Sequence, residues 1–155
     1  MGSSFIYSCS NCGYSFDFML GIGFAYSPDS FYRFNWDEEE NMWCYDKQNM
    51  WLSVIKSKKM LQEIKDIMMS KNGRLIENYG YGLYYSKSCK KIYNRFYFEL
   101  YYNEDGQMKV FIPKYFDEHK KELIRINAGD VSKVAIECPK CKGTEFMEGI
   151  GPCWD

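Results

Sequence analysis

Histidine is almost missing from this 155-residue chain: His119 stands alone. A catalytic metal centre built from several imidazoles is therefore excluded, and only one imidazole base is available. Nothing around Cys89 or the serines marks a nucleophile paired with His119, which reads as a partly exposed residue beside Lys120 and Lys121. An excess of one charge is missing too. Twenty basic side chains oppose twenty-one acidic ones, for a net charge of -1, so no long-range field gathers nucleic acid or an anionic membrane. Met1 to Ile6 has neither the basic region nor the apolar core of a secretory signal, and Ile6 stands where myristoylation wants Ser or Thr. The uncharged run Phe18 to Pro28 is about half as long as a membrane-spanning helix. The chain is expected in the cytoplasm, without a membrane anchor.

Other absences weaken tempting motifs. Gly21-Ile22-Gly23 has no third glycine, no Gly-Lys-Ser/Thr and no amphipathic helix after it, so it reads as a close-packed bend rather than a phosphate loop. Asp37-Glu38-Glu39-Glu40 lacks calcium-loop spacing and reads as a solvated acidic stretch. There is no internal repeat and no low-complexity linker.

What is abundant is aromatic. Fourteen Tyr and eleven Phe bring the aromatic share to 19% within an apolar share of 46%, a composition that favours strands and half-buried surfaces over a leucine-rich bundle. Tyr14, Phe16 and Phe18 alternate on one face after the first cysteine pair, which predicts a hairpin with the cysteines in its turn. Pro28-Asp29-Ser30 reads as a turn and Phe31 to Phe34 as a short strand or helical turn. Met60, Leu61, Ile64, Ile67 and Met68 share one helical face opposite Gln62, Glu63, Lys65 and Asp66; Asn72-Gly73 supplies the stop, and Trp51 to Ile55 predicts a shorter helix interrupted near Ser57. The methionines of that stripe read as core. Tyr79 to Tyr85, Phe96 to Tyr102 and Met108 to Pro113 read as strands, with Asn103-Glu104-Asp105-Gly106 turning the last two. Residues 115–126 fit either a short helix containing His119 or a turn followed by a strand over 123–126.

The chemistry lies in the cysteines. Seven are present, an odd number, and four form two C-x-x-C knuckles: Cys9-Ser10-Asn11-Cys12-Gly13 and Cys138-Pro139-Lys140-Cys141-Lys142-Gly143. Each knuckle is a tight turn that aims two thiolates at one point, and two such turns supply the tetrahedral sulfur set that suits Zn2+. Free buried thiols and a disulfide pair are the alternatives. Four sulfurs leave no open coordination position, so such a zinc is structural. Thiol-disulfide exchange wants C-x-x-C at a strand-to-helix junction, and neither knuckle precedes a helical pattern. Gly151-Pro152-Cys153 imitates part of a redox sequence, but Ile150 stands where its first cysteine would be. Cys44, Cys89 and Cys153 read as small buried side chains. Lys87, Lys90, Lys91 and Arg95 are interleaved with Tyr84, Tyr85, Tyr93 and Tyr97, a pattern that fits either an ordinary sheet edge guarded by lysine or a surface that stacks single-stranded nucleic acid.

Several stretches resemble a loosely defined set of small, largely uncharacterised bacterial zinc-ribbon proteins. They are Tyr7-x-Cys9-x-x-Cys12-Gly13-Tyr14, Gly21-x-Gly23-Phe24, Ile55-Lys56-Ser57-Lys58, Cys138-Pro139-x-Cys141 and Trp154-Asp155. The resemblance implies a further knuckle in the middle of the chain, where Tyr85 to Ile92 looks like one whose second cysteine has become Ile92. It implies no particular activity.

These readings predict an α+β protein forming a single domain over 1–155. Ribbon halves 5–18 and 134–150 carry the metal ligands Cys9, Cys12, Cys138 and Cys141, and an inserted helix and antiparallel, aromatic-rich sheet occupy 19–133. The expected function is a zinc-binding interaction module whose partner is another protein. The alternative is single-stranded nucleic-acid binding through Lys87, Lys90, Lys91, Arg95, Tyr93 and Tyr97, and an enzyme of unknown class comes third.

Overall fold

A computed structural model describes residues 2–23 and 26–153 of the chain. Phe24 and Trp154-Asp155, which carry part of the resemblance, lie outside the described residues. The fold is mixed α+β: the described residues form antiparallel strand pairs, two α-helices and two short 3-10 helices. It divides into two compact units, each discontinuous in sequence: Met1–Gly23, Gly80–Arg95 and Lys114–Asp155 form the first, and Phe24–Tyr79 with Phe96–Pro113 the second. Of the segment expected as one insertion, residues 80–95 and 114–133 thus belong with the cysteine knuckles.

The first unit is built from β1 (Ser3–Cys9) and β2 (Ser15–Leu20), the hairpin expected around the first knuckle. Residues 146–150 return as β11 (Phe146–Ile150) on the other side of β1, giving the order β11-β1-β2 with Cys9 opposite Phe146. A second sheet has the order β10-β6-β7, from β6 (Gly80–Ser86), β7 (Lys91–Tyr97) and β10 (Ile124–Ile126). The apolar alternation in these strands has a common destination: Tyr7, Phe18, Leu83, Tyr85, Ile92, Val131 and Ile136 form one buried cluster. Of the two readings for 115–126, the structure has the turn and strand, because Asp117 organises the turn from within, accepting the backbone N–H groups of His119 and Lys121 at 2.9 Å each.

In the second unit, Ser57 caps helix α2 (Lys58–Ser70): its hydroxyl accepts the Met60 N–H at 3.2 Å, as an N-cap serine should. Met60, Ile64, Ile67 and Met68 are buried along one face, and Gly73 ends the helix by donating its N–H to the Ile67 carbonyl at 2.9 Å. Helix α1 (Trp51–Val54) is a single turn. Their aromatic core is Trp51 and Phe31, both fully buried, with ring centroids 4.6 Å apart and edge to face; Phe98 meets Trp51 at 4.5 Å. The strand expected across Phe96 to Tyr102 is broken: β7 ends at Tyr97, while β8 (Leu100–Glu104) pairs with β5 (Arg74–Leu75) and β9 (Gln107–Phe111). Alternation alone does not reveal that the chain changes sheets at Phe98-Glu99.

Sequence reading missed one further element. Strands β3 (Phe34–Asp37) and β4 (Met42–Tyr45) make a two-stranded hairpin, and the acidic stretch is its turn. Asp37 accepts the N–H groups of Glu39 and Glu40 at 3.0 and 3.1 Å, and Asn41 takes the positive φ of 50° that closes the turn. No helix among the described residues is long and apolar enough to cross a membrane.

Candidate metal centre

The four predicted cysteines converge. Their sulfurs all lie within 4.8 Å of one another, Cys9 to Cys141 at 3.5 Å and Cys12 to Cys138 at 3.6 Å. Zinc-sulfur bonds of about 2.3 Å in a tetrahedron put sulfurs roughly 3.8 Å apart, a spacing this donor set approaches. Cys9 and Cys138 are buried, Cys12 and Cys141 half-buried, and all are free thiols. A disulfide is thereby set aside among the described residues, while zinc and other thiophilic ions share this geometry.

The two knuckles are the same object built twice. In the first, the Cys9 N–H donates to the Tyr14 carbonyl at 2.8 Å and the Gly13 N–H to the Cys9 carbonyl at 2.9 Å; in the second, Cys138 donates to Gly143 at 2.8 Å and Lys142 to Cys138 at 2.9 Å. Each turn then points a backbone N–H at its second sulfur: Tyr14 to Cys12, and Gly143 to Cys141 at 3.4 Å. Asn11 crosses between the knuckles and donates its side-chain amide to Cys141 at 3.6 Å. These donors favour thiolates, as a metal requires. The Gly143 N–H, followed by hydrogen bonds from Cys12, Cys9 and Asn11, draws the Cys141 thiol down to about 6 against burial. Although the Tyr14 N–H favours the Cys12 thiolate, burial and the other three sulfurs push that thiol up to about 12. Four thiolates this close repel one another, and a dication removes that repulsion.

Sequence differences inside the turns follow from space. A Cβ on Gly143 would sit 3.3 Å from the Cys141 sulfur and 3.5 Å from that of Cys9, a close approach that favours glycine there. The position after each second cysteine is left-handed, with φ of 68° at Gly13 and 62° at Lys142. Glycine takes that conformation freely and lysine at a cost of roughly 1 kcal/mol. Lys142→Gly is accordingly expected to stabilise the folded, metal-loaded protein by about 0.5 to 1 kcal/mol, and Gly13→Ala to destabilise it by about 1 kcal/mol or more. Thermal melting of both variants measures the pair, and equal shifts of the same sign would refute the repeated-turn description.

The knuckle-like segment implied at Tyr85 to Ile92 is present in altered form. Residues 87–90 are a turn and Lys90 has φ of 47°. The left-handed residue puts Cys89 in the place of Cys12 and Ser86, rather than Ile92, in the place of the other cysteine. Ile92 lies beyond the turn in β7, inside the buried cluster. A hydrogen-bonded carboxylate occupies the centre instead: Asp117, only 8% exposed, accepts the hydroxyls of Ser86 (2.6 Å) and Ser88. Glu118 accepts the Cys89 thiol at 3.0 Å. The Ser86 and Ser88 hydroxyls, followed by the backbone N–H groups of Lys121 and His119, hold the Asp117 carboxyl well below its usual range. A carboxylate depressed in the folded state stabilises fully above its unfolded value of about 3.9 and loses that contribution as pH falls below it. Asp117→Asn is expected to lower stability at neutral pH and to flatten the acid limb below about pH 4. Acid titration followed by circular dichroism checks this, and an unchanged acid limb would contradict it.

The other singled-out residues are placed as follows. His119 is exposed. Cys44 and Cys89 are half-buried, while Cys153, expected inside, is exposed. Lys90 pairs with Glu137 at 2.7 Å and Lys91 with Glu118 at 3.4 Å; Lys91 and Arg95 lie over the Tyr93 ring, 4.9 and 5.2 Å from its centroid. The hydroxyls of Tyr93 and Tyr97 donate to Glu118 and Glu99, and Lys87 is exposed in its turn. A phosphate approaching Lys90 or Lys91 would thus meet carboxylates already in place.

Compared with known proteins, the chain matches no family model, no curated protein and no solved structure. The likeness to bacterial zinc-ribbon proteins rests on the residues quoted for it, and the metal-binding reading on the sulfur cluster itself.

Proposed function

We propose that Cys9, Cys12, Cys138 and Cys141 hold one Zn2+ as a structural ion in a zinc ribbon, and that the protein is an interaction module for another protein. The observation that carries the reading is the convergence of four sulfurs from two turns of one design, each aiming an N–H at its own thiolate. All four protein ligands are sulfur, so the ion has no position for substrate and its role is to hold chain segments together. Cys12 and Cys138 are 126 residues apart; joining such distant segments opposes loop entropy, which metal-sulfur bonding offsets. The interaction reading draws on large aromatic side chains left in solvent, Tyr14 just before β2 and Trp36, Trp43 and Tyr101 on strands, each about two-fifths exposed or more.

Cobalt reports ligand type and geometry directly. Metal-free protein titrated with Co2+ is expected to take up one equivalent with the visible bands of a tetrahedral thiolate site, and Zn2+ is expected to displace it. A weak octahedral spectrum, or none, would overturn the assignment.

A further inference from the structure

The β3–β4 hairpin carries side chains that no interior needs. Its strands pair Phe34 with Tyr45 and Trp36 with Trp43, so four aromatic rings share one face. At the base, Phe34 and Tyr45 lie 5.0 Å apart, and the Tyr45 hydroxyl donates to the Leu61 carbonyl of α2, which fixes that end. At the tip, Trp36 and Trp43 meet edge to face at 5.4 Å and remain 47% and 42% exposed. Two indoles packed edge to face and left in water form an apolar surface of the kind that anchors interfaces.

Charge decides what this surface receives. Asp37, Glu38, Glu39 and Glu40 form the turn beside it, and no Lys or Arg occurs between Phe34 and Asp46. None of the ion pairs among the described residues involves these four carboxylates. A nucleic-acid strand or anionic membrane would stack on the indoles only against that repulsion, and two identical hairpins face to face would crowd eight carboxylates together. A basic side chain satisfies both halves of the surface. Guanidinium lies flat on an indole and forks to a carboxylate; ammonium does the second better than the first.

We propose that the β3–β4 hairpin is the docking surface, and that its occupant is an arginine-bearing basic segment of a partner protein. Its guanidinium groups stack on Trp36 and Trp43 and pair with the carboxylates of 37–40. The proposal rests on the interaction-module reading and gives it a surface and a partner chemistry.

The test uses the full zinc-loaded chain and a fluorescent peptide alternating arginine and serine, with a glutamate-for-arginine peptide and an oligo-dT strand as competitors. Anisotropy is expected to show saturable binding that weakens steeply with salt. Trp36→Ala/Trp43→Ala, and separately Glu38→Gln/Glu39→Gln/Glu40→Gln, are each expected to weaken it about tenfold or more. Wild-type affinity in both variants, or no binding by folded wild type, overturns the proposal. So does preferential binding of oligo-dT, or a doubled solution mass that the tryptophan variant abolishes. Zinc is counted on the same samples: zinc present with the arginine peptide unbound removes this surface and leaves the metal assignment standing. A natural partner held equally by wild type and tryptophan variant removes it while leaving the interaction reading.

Discussion

Cys138→Ser is expected to abolish stoichiometric zinc and to unfold the sheet that the two knuckles support. Cys138 is fully buried, its sulfur lies 3.6 Å from that of Cys12, and its backbone closes the second knuckle. Serine preserves the shape but offers a hydroxyl that stays protonated at neutral pH. Structural zinc contributes an apparent ~10–16 kcal/mol to folding in finger peptides, a figure comparable to the whole stability of a domain. Even partial loss therefore exceeds what the strand pairing of β1, β2 and β11 can absorb. Amide exchange should show protection lost in these three strands, and the expected loss of stability is about 3 kcal/mol or more. Cys153→Ser serves as the control, because that exposed thiol is outside the cluster. Retained zinc and unchanged protection in Cys138→Ser would contradict the assignment.

Trp51→Ala is expected to have the largest effect in the second unit. The indole is fully buried, touches Phe31 edge-on and Phe98 at 4.5 Å, and donates its ring N–H to the Met68 sulfur at 3.1 Å. Truncating a buried Trp to Ala typically costs about 3–5 kcal/mol through lost transfer energy and the cavity left behind. Stability of 5–15 kcal/mol for a domain leaves little after such a change. Urea unfolding should show the transition at α2, β5 and β8 moved to much lower denaturant. A shift below about 1 kcal/mol would mean that Trp51 is not the centre of this core.

Different parts of the protein were legible for different physical reasons. The knuckles were readable because a turn that aims two thiolates has one spacing, and because the sequence around Cys9 and Cys138 contains the small residues such turns need. Helix α2 was readable from its apolar period and its Asn72-Gly73 stop, whereas Ser57, read only as an interruption, is its N-cap. Strand β11 was not: its residues Phe146 to Ile150 hold no clean alternation, and they form a strand only because the second knuckle delivers them to the edge of β1. The hairpin β3–β4 was obscured by its own turn, since four consecutive acidic residues look like solvated coil until Asp37 is seen binding the backbone of Glu39 and Glu40. Asn11, Ser86 and Asp117 were missed for a related reason. Their roles depend on segments distant in sequence meeting, and no local pattern records that.

The central claim is that one chain holds one metal through sulfurs from both knuckles, and elemental analysis tests it most directly. The protein would be purified without added metal as wild type, Cys9→Ser and Cys141→Ser, with molecular mass in solution measured on each. One zinc per monomer in the wild type, lost in either variant, is the expected result. Its contradiction would be no zinc, or one zinc per dimer, because a knuckle from each of two chains would then complete the site.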